Sequence, residues 1–232
     1  TIPTSSLEKS LLVGDFLFVS KFHYGARVPM TTIAAPMVHD TIPIIKTKSY
    51  LEEFELPYLR IPGFQKIKNN DIVVFNWPVD TMLNMYYTDK YHYKPIDKKT
   101  NYVKRSVGIA GDTLEIKEGY VYINGKKNEL SDRAELQFSY LVQPKNSTFR
   151  KKVMVNNYDI TDPFGIINRE NTYQFIAMSD KIVNKFKNHP NVGSIEKYLS
   201  IEGERDSNIF PHNENYNWNN DFFGPIYLPK AG

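Results

Sequence analysis

Two side chains in this sequence could form a hydrolytic pair, a hydroxyl near the start and an amine much further along. The first lies in Ile2-Pro3-Thr4-Ser5-Ser6-Leu7-Glu8-Lys9-Ser10-Leu11-Leu12-Val13-Gly14-Asp15. The second lies in Asn101-Tyr102-Val103-Lys104-Arg105-Ser106-Val107-Gly108-Ile109-Ala110-Gly111-Asp112. A serine hydroxyl becomes a nucleophile when a neighbouring base takes its proton. Read alone, a serine beside the Ser5/Glu8 capping-box spacing is first of all a helix cap. In a strand, Tyr102, Lys104 and Ser106 share one face, and Val103, Arg105 and Val107 share the other. A lysine among an aromatic ring and apolar strands can lose hydration. An exposed strand cation is the simpler reading of that segment by itself. A free lysine titrates near about 10.4, so it serves as a base only where burial disfavours the ammonium.

Other chemistries find little support. The chain has no cysteine, which excludes thiol catalysis, a disulfide framework and Cys-ligated zinc. Its five histidines (23, 39, 92, 189 and 212) sit in no metal or triad motif, and no Gly-rich loop suits phosphate. Neither a metal nor another cofactor is expected. A net charge of +3 without a dense Lys/Arg block argues against nucleic acid. No apolar run reaches the roughly 18 residues of a membrane-spanning helix. The sequence opens on Thr1 rather than Met, so it is expected to be a fragment, with any membrane anchor upstream.

The elements that must position the pair are mainly strands. Phe16 to Ser20 is aromatic and β-branched, as a strand should be. Residues 26–63 carry five prolines, at 29, 36, 43, 57 and 62, and read as a long irregular excursion. Asp71 to Phe75 is a strand ending at Trp77-Pro78. Residues 79–100 form a second excursion, and Tyr102 to Ile109 a further strand. Thr113 to Ile116 and Tyr120 to Ile123 flank Glu118-Gly119 as a hairpin, and Asn124-Gly125 marks the next turn. Beyond it, Glu135 to Val142 reads as a strand, Phe149 to Asn157 as a helix and Thr172 to Met178 as a strand. Ser179 caps a helix through Asn188 with Ile182, Val183 and Phe186 on one face. Ser194 to Leu199 reads as a last strand, and 205–221 as loop. The expected architecture is mainly β: an antiparallel core over 1–125, a mixed α/β insertion over 126–204 and a return segment over 205–232.

Taken together, the two segments resemble the type I signal peptidase family of bacteria. Pro3 to Asp15 matches the family's serine box, and Tyr102 to Asp112 its lysine box. Asn70 to Phe75 matches the strand between them, and the Thr113–Gly125 hairpin also fits. The long intervening stretches, with Phe223-Gly224-Pro225-Ile226-Tyr227-Leu228-Pro229, look more like enlarged Bacteroidetes-type members. Leu7 stands where Met is commoner, a volume-conserving change. The family's later G-D-N-R-x-x-S-x-D-S-R box has no counterpart: either the sequence stops short of it or it is lost. This piece alone is therefore not expected to be fully active.

The resemblance implies a membrane-associated serine endopeptidase that removes signal peptides from exported preproteins, sited on the periplasmic side of the inner membrane. It makes Ser6 the nucleophile and Lys104 the base, with the Thr4 hydroxyl and the Ser6 N–H as oxyanion donors. For Thr4, a local backbone hydrogen bond is an equal reading. It places Ile2, Pro3, Leu7, Leu11 and Tyr102 near one substrate pocket, and Leu17, Val74 and Val103 near the other; all are also reasonable core residues. The implied partners are signal peptides and a lipid surface, the latter met by Pro29 to Ile45 unless that stretch is a buried arm. Two rivals remain: a catalytically silent peptide-binding relative, and a self-cleaving Ser-Lys peptidase.

Overall fold

The computed structural model describes residues 7, 14–36, 38, 41–42, 45–80, 91–131 and 134–230. The described residues divide into two compact units, one running to Ile109 and the other starting at Ala110.

The first unit is built on an antiparallel ribbon of β1 (Ile72–Asn76) and β2 (Asn101–Arg105). Its register sets Val73 opposite Lys104, Val74 opposite Val103 and Phe75 opposite Tyr102. Directly opposed residues share a face, so Val73, Phe75, Tyr102 and Lys104 lie on one side. Trp77 packs edge-on against the Tyr102 ring at 5.5 Å. The ladder ends where Asn70 takes a left-handed backbone (φ 72°), a conformation asparagine tolerates. Ser106 trades backbone hydrogen bonds with Asn70 and Asp71. With its partner turned away there, β2 stops at Arg105 rather than running to Ile109.

The segment 16–20, expected as a strand, takes no strand conformation; Phe16 and Phe18 are exposed. Aromatic and β-branched composition favours a pleated surface only when another strand is there to pair with. The described residues of 26–63 fold into a long irregular antiparallel arm. Bridges join Arg27 to Arg60, Thr31 to Glu55, Ala34 to Tyr50 and Thr41 to Lys48. At its root the backbones nearly touch, since a Cβ on Gly25 would stand 2.3 Å from the Ile61 carbonyl. A short 3-10 helix (Ile96–Lys98) leads into β2. Near it Asp80 is buried, accepting from Lys94 Nζ at 3.0 Å, Thr100 N at 2.8 Å and Thr100 Oγ1 at 2.7 Å.

The second unit contains, among the described residues, two four-stranded sheets. β3 (Thr113–Lys117) and β4 (Tyr120–Ile123) form the expected hairpin, turning at Glu118 and Gly119 with positive φ. β5 (Lys126–Lys127) extends it after Asn124-Gly125. The other sheet takes β6 (Gln137–Pro144), β7 (Phe164–Ile166), β8 (Tyr173–Ser179) and β9 (Val192–Lys197), ordered β7-β8-β6-β9. Helices α1 (Lys151–Tyr158) and α2 (Asp180–Phe186) contribute Met154, Ile182, Val183 and Phe186 to the core over this sheet. There Phe175 and Phe186 are at most 1% exposed. Each such side chain contributes about 2 kcal/mol of burial. Ser179 caps α2, its hydroxyl accepting from Ile182 N. β10 (Phe223–Tyr227) returns to pair with β3. The chain is mainly β with antiparallel sheets, and among the described residues both α-helices lie in the segment after Gly125.

Candidate active site

Lys104 leaves β2 half-buried on the face it shares with Val73, Phe75 and Tyr102. Among the described residues its amine meets no hydrogen-bond or ion-pair partner. Neighbouring Arg105 points to the other face and donates to the Asn70 carbonyl at 3.1 Å. The register thus separates two adjacent cations, tying one to backbone and leaving the other beside apolar and aromatic side chains.

Lys104 stands on the wall of a cleft of about 1530 Å³ within the first unit. Leu7, Leu17, Val74, Tyr102 and Val103 line the same cleft. The structure therefore brings six of the expected site residues to one concavity. Ile2, Pro3, Thr4, Ser6 and Leu11 lie outside the described residues. The cleft wraps the ribbon, since Val73 and Phe75 reach it from one face and Val74 and Asn76 from the other. A strand accessible in this way can accept an added extended peptide.

The walls are held by carboxylates that sequence reasoning passed over. Asp71 Oδ2 accepts from Lys68 N at 2.8 Å and from Tyr24 Oη at 2.8 Å. These bonds, the Lys68 N–H first, hold its carboxyl below the ordinary range. In turn the Asp71 carboxylate raises the Tyr24 phenol. Asp97 Oδ2 accepts from Met30 N, Thr31 N and Thr31 Oγ1 at 2.9–3.0 Å. Burial pushes the Asp97 carboxyl up, but the Thr31 and Met30 donors outweigh it and the net direction is down. Tyr93 donates to Glu55 and is raised to about 12 by that hydrogen bond and by burial. The Tyr24–Asp71 bond and those of Asp97 and Tyr93 join positions 38 to 67 residues apart, and the last two pin the arm to the approach to β2. No short motif marks them.

Arg27 and Arg60 also line the cleft, with Lys21 and Asn76. Arg27 Nη1 donates to Asn76 Oδ1 at 2.6 Å. Both arginines sit in the proline-rich stretch, where no periodicity identified a face.

The sequence pattern of the family described as signal peptidase, peptidase S26, matches residues 1–185. The chain belongs to the signal peptidase family. Curated relatives agree with this membership. A signal peptidase I of Bacillus amyloliquefaciens is 31% identical over 114 residues, covering 49% of this chain and 54% of the relative. One of Rickettsia typhi is 26% identical over 132 residues, covering 57% and 37%. One of Pseudomonas aeruginosa is 27% identical over 126 residues, covering 54% and 29%. The chain thus spans about half or less of the length of these signal peptidases. No solved structure matches it. Among the described residues no helix is long and apolar enough to cross a membrane.

Proposed function

We propose that this chain is the catalytic region of a membrane-associated serine endopeptidase that removes N-terminal signal peptides from exported preproteins. The observation that carries the reading is the position of Lys104, on the wall of a large cleft beside apolar and aromatic side chains, with no hydrogen-bond or ion-pair partner among the described residues.

In this mechanism Ser6 Oγ attacks the scissile carbonyl while its proton passes to Lys104 Nζ. The Ser6 N–H and the Thr4 hydroxyl stabilise the oxyanion. Collapse breaks the C–N bond, and the leaving amine takes the proton from Lys104. Water, deprotonated by the same amine, then hydrolyses the acyl-enzyme and regenerates Ser6. The substrate binds extended along the β1–β2 ribbon, with small side chains near Val74 and Val103 and near Leu7 and Tyr102.

A lipid surface fits the first unit. Phe16, Phe18, Phe22, Ile33 and Phe64 are all exposed there. Of the Pro29–Ile45 stretch, Met30 is buried, whereas Ile33 and Ile45 are exposed; Met37 and Ile44 lie outside the described residues. Exposed apolar surface of this extent marks an interaction site. We place the intact protein at the inner membrane, facing the periplasm.

The test is processing of a preprotein by the intact protein in detergent. Ser6→Ala and Lys104→Ala are each expected to abolish it. Normal processing by either variant would remove the mechanism, and an inactive wild type would favour a silent peptide-binding relative.

A further inference from the structure

The root of the arm presents two different faces. Backbone hydrogen bonds run from Val28 N to the Leu59 carbonyl and from Ile61 N to the Ala26 carbonyl. They bracket Arg27 and Arg60, which makes that couple a narrow pair without mutual hydrogen bonds, in which Cα atoms stand about 4.5 Å apart. Arg27, Pro29, Tyr58 and Arg60 line the cleft. The intervening Leu59 and Ile61 do not, and both are more than half exposed.

Two like charges directly opposed across such a pair are unfavourable. Among the described residues no carboxylate relieves either. Arg27 is bonded to the Asn76 amide oxygen, and Arg60 meets no hydrogen-bond or ion-pair partner there. The rest of the cleft does not offset them. Among the described residues its charged lining is Lys21, Arg27, Arg60 and Lys104 against Asp97, whose Oδ2 already accepts three hydrogen bonds. A concave site with that balance attracts an anion, and paired guanidinium groups suit a carboxylate.

We propose that Arg27 and Arg60 form a subsite that receives an acidic side chain of the peptide substrate; this rests on the peptidase reading above. The alternation of the arm favours a peptide over a lipid headgroup. Its apolar residues Leu59 and Ile61 point away from the cleft, while the arginines point into it. The bond from Arg27 to Asn76 ties the pair to β1, three residues from Val73 and hence about 10 Å along the strand from the level of Lys104. An extended ligand covers that distance in about three residues, so the acidic side chain lies near the scissile bond.

The experiment uses the intact protein in uncharged detergent and peptides spanning the cleavage site of a preprotein it processes. Glu, Gln or Lys is placed singly at about five positions on each side of the bond. At one of them Glu is expected to raise kcat/KM about tenfold over Gln, an advantage that shrinks in about 0.5 M salt. Arg60→Gln is expected to lower that ratio towards one, and Arg60→Glu to shift the preference to Lys. Circular dichroism confirms that both variants fold. A Glu-to-Gln ratio near one at every position, or one untouched by the Arg60 variants, overturns the subsite while leaving the peptidase reading in place. Weaker binding of the variants to anionic phospholipid vesicles with an unchanged ratio also overturns it, in favour of lipid. Failure of the wild type to cut any peptide overturns both readings together.

Discussion

Val73 stands directly opposite Lys104 across the β1–β2 ladder. The nearest cross-strand neighbour of the proposed base is therefore a short apolar side chain that supplies neither a hydrogen bond nor a charge. Val73→Glu would put a carboxylate at that place as an ion-pair partner for the amine, and kcat/KM is expected to fall at least about tenfold near neutral pH. Lys104→Arg keeps the charge and loses the base, because a guanidinium does not deprotonate, and activity is expected to fall by at least about a thousandfold. Steady-state kcat/KM checks the first, and single-turnover cleavage the second. Unchanged kcat/KM in Val73→Glu would argue against Lys104 as the base.

Asp80 and Lys94 form a buried ion pair at 3.0 Å, with Thr100 donating to the other carboxylate oxygen. Burial pushes the Asp80 carboxyl up, yet the Thr100 and Lys94 donors outweigh it and its pKa is lowered. A carboxyl depressed in the folded state stabilises the fold above its unfolded value of about 3.9, and that stability is lost as pH falls through the folded value. Asp80→Asn is expected to cost about 3 kcal/mol near neutral pH and to flatten the acid limb of stability. Thermal unfolding of wild type and variant across about pH 3 to 7 reads both effects. An equally steep acid limb in the variant would assign the loss to other carboxyls.

Gly25 has φ 94°, and a Cβ there would meet the Ile61 carbonyl at 2.3 Å. Gly25→Ala is expected to destabilise the root of the arm by about 3 kcal/mol. Because Arg27 and Arg60 lie just beyond this crossing, proteolytic cutting within 26–63 should speed up before any loss of the second unit. Limited proteolysis followed by mass spectrometry distinguishes the order.

In the second unit, Phe186 is fully buried against Phe149, Tyr158 and Phe175. Phe186→Ala is expected to cost about 4 kcal/mol through lost contacts and the cavity left behind. Ser179→Ala removes the α2 cap for about 1 kcal/mol. Chemical denaturation separates the two; equal losses would mean that α2 is held by its cap rather than by its apolar face.

The sequence by itself determined the local features. The β3–β4 hairpin was legible because Glu118-Gly119 turns the chain with positive φ, and α2 because Ser179 precedes Ile182, Val183 and Phe186 at helical spacing. Lys104 on a strand with Tyr102 on the same face was legible from alternation alone. Tertiary structure decided where that face looks, where β2 stops and whether residues 16–20 pair at all. It also brought Arg27 to Arg60, Asp97 to Thr31 and Asp71 to Tyr24. Turns and caps are settled by neighbours a few residues away, whose hydrogen bonds close within one short segment. A cleft assembled from an arm and a ribbon depends on contacts across dozens of residues, where loop closure and competing pairings decide the partner and no single segment carries the signal.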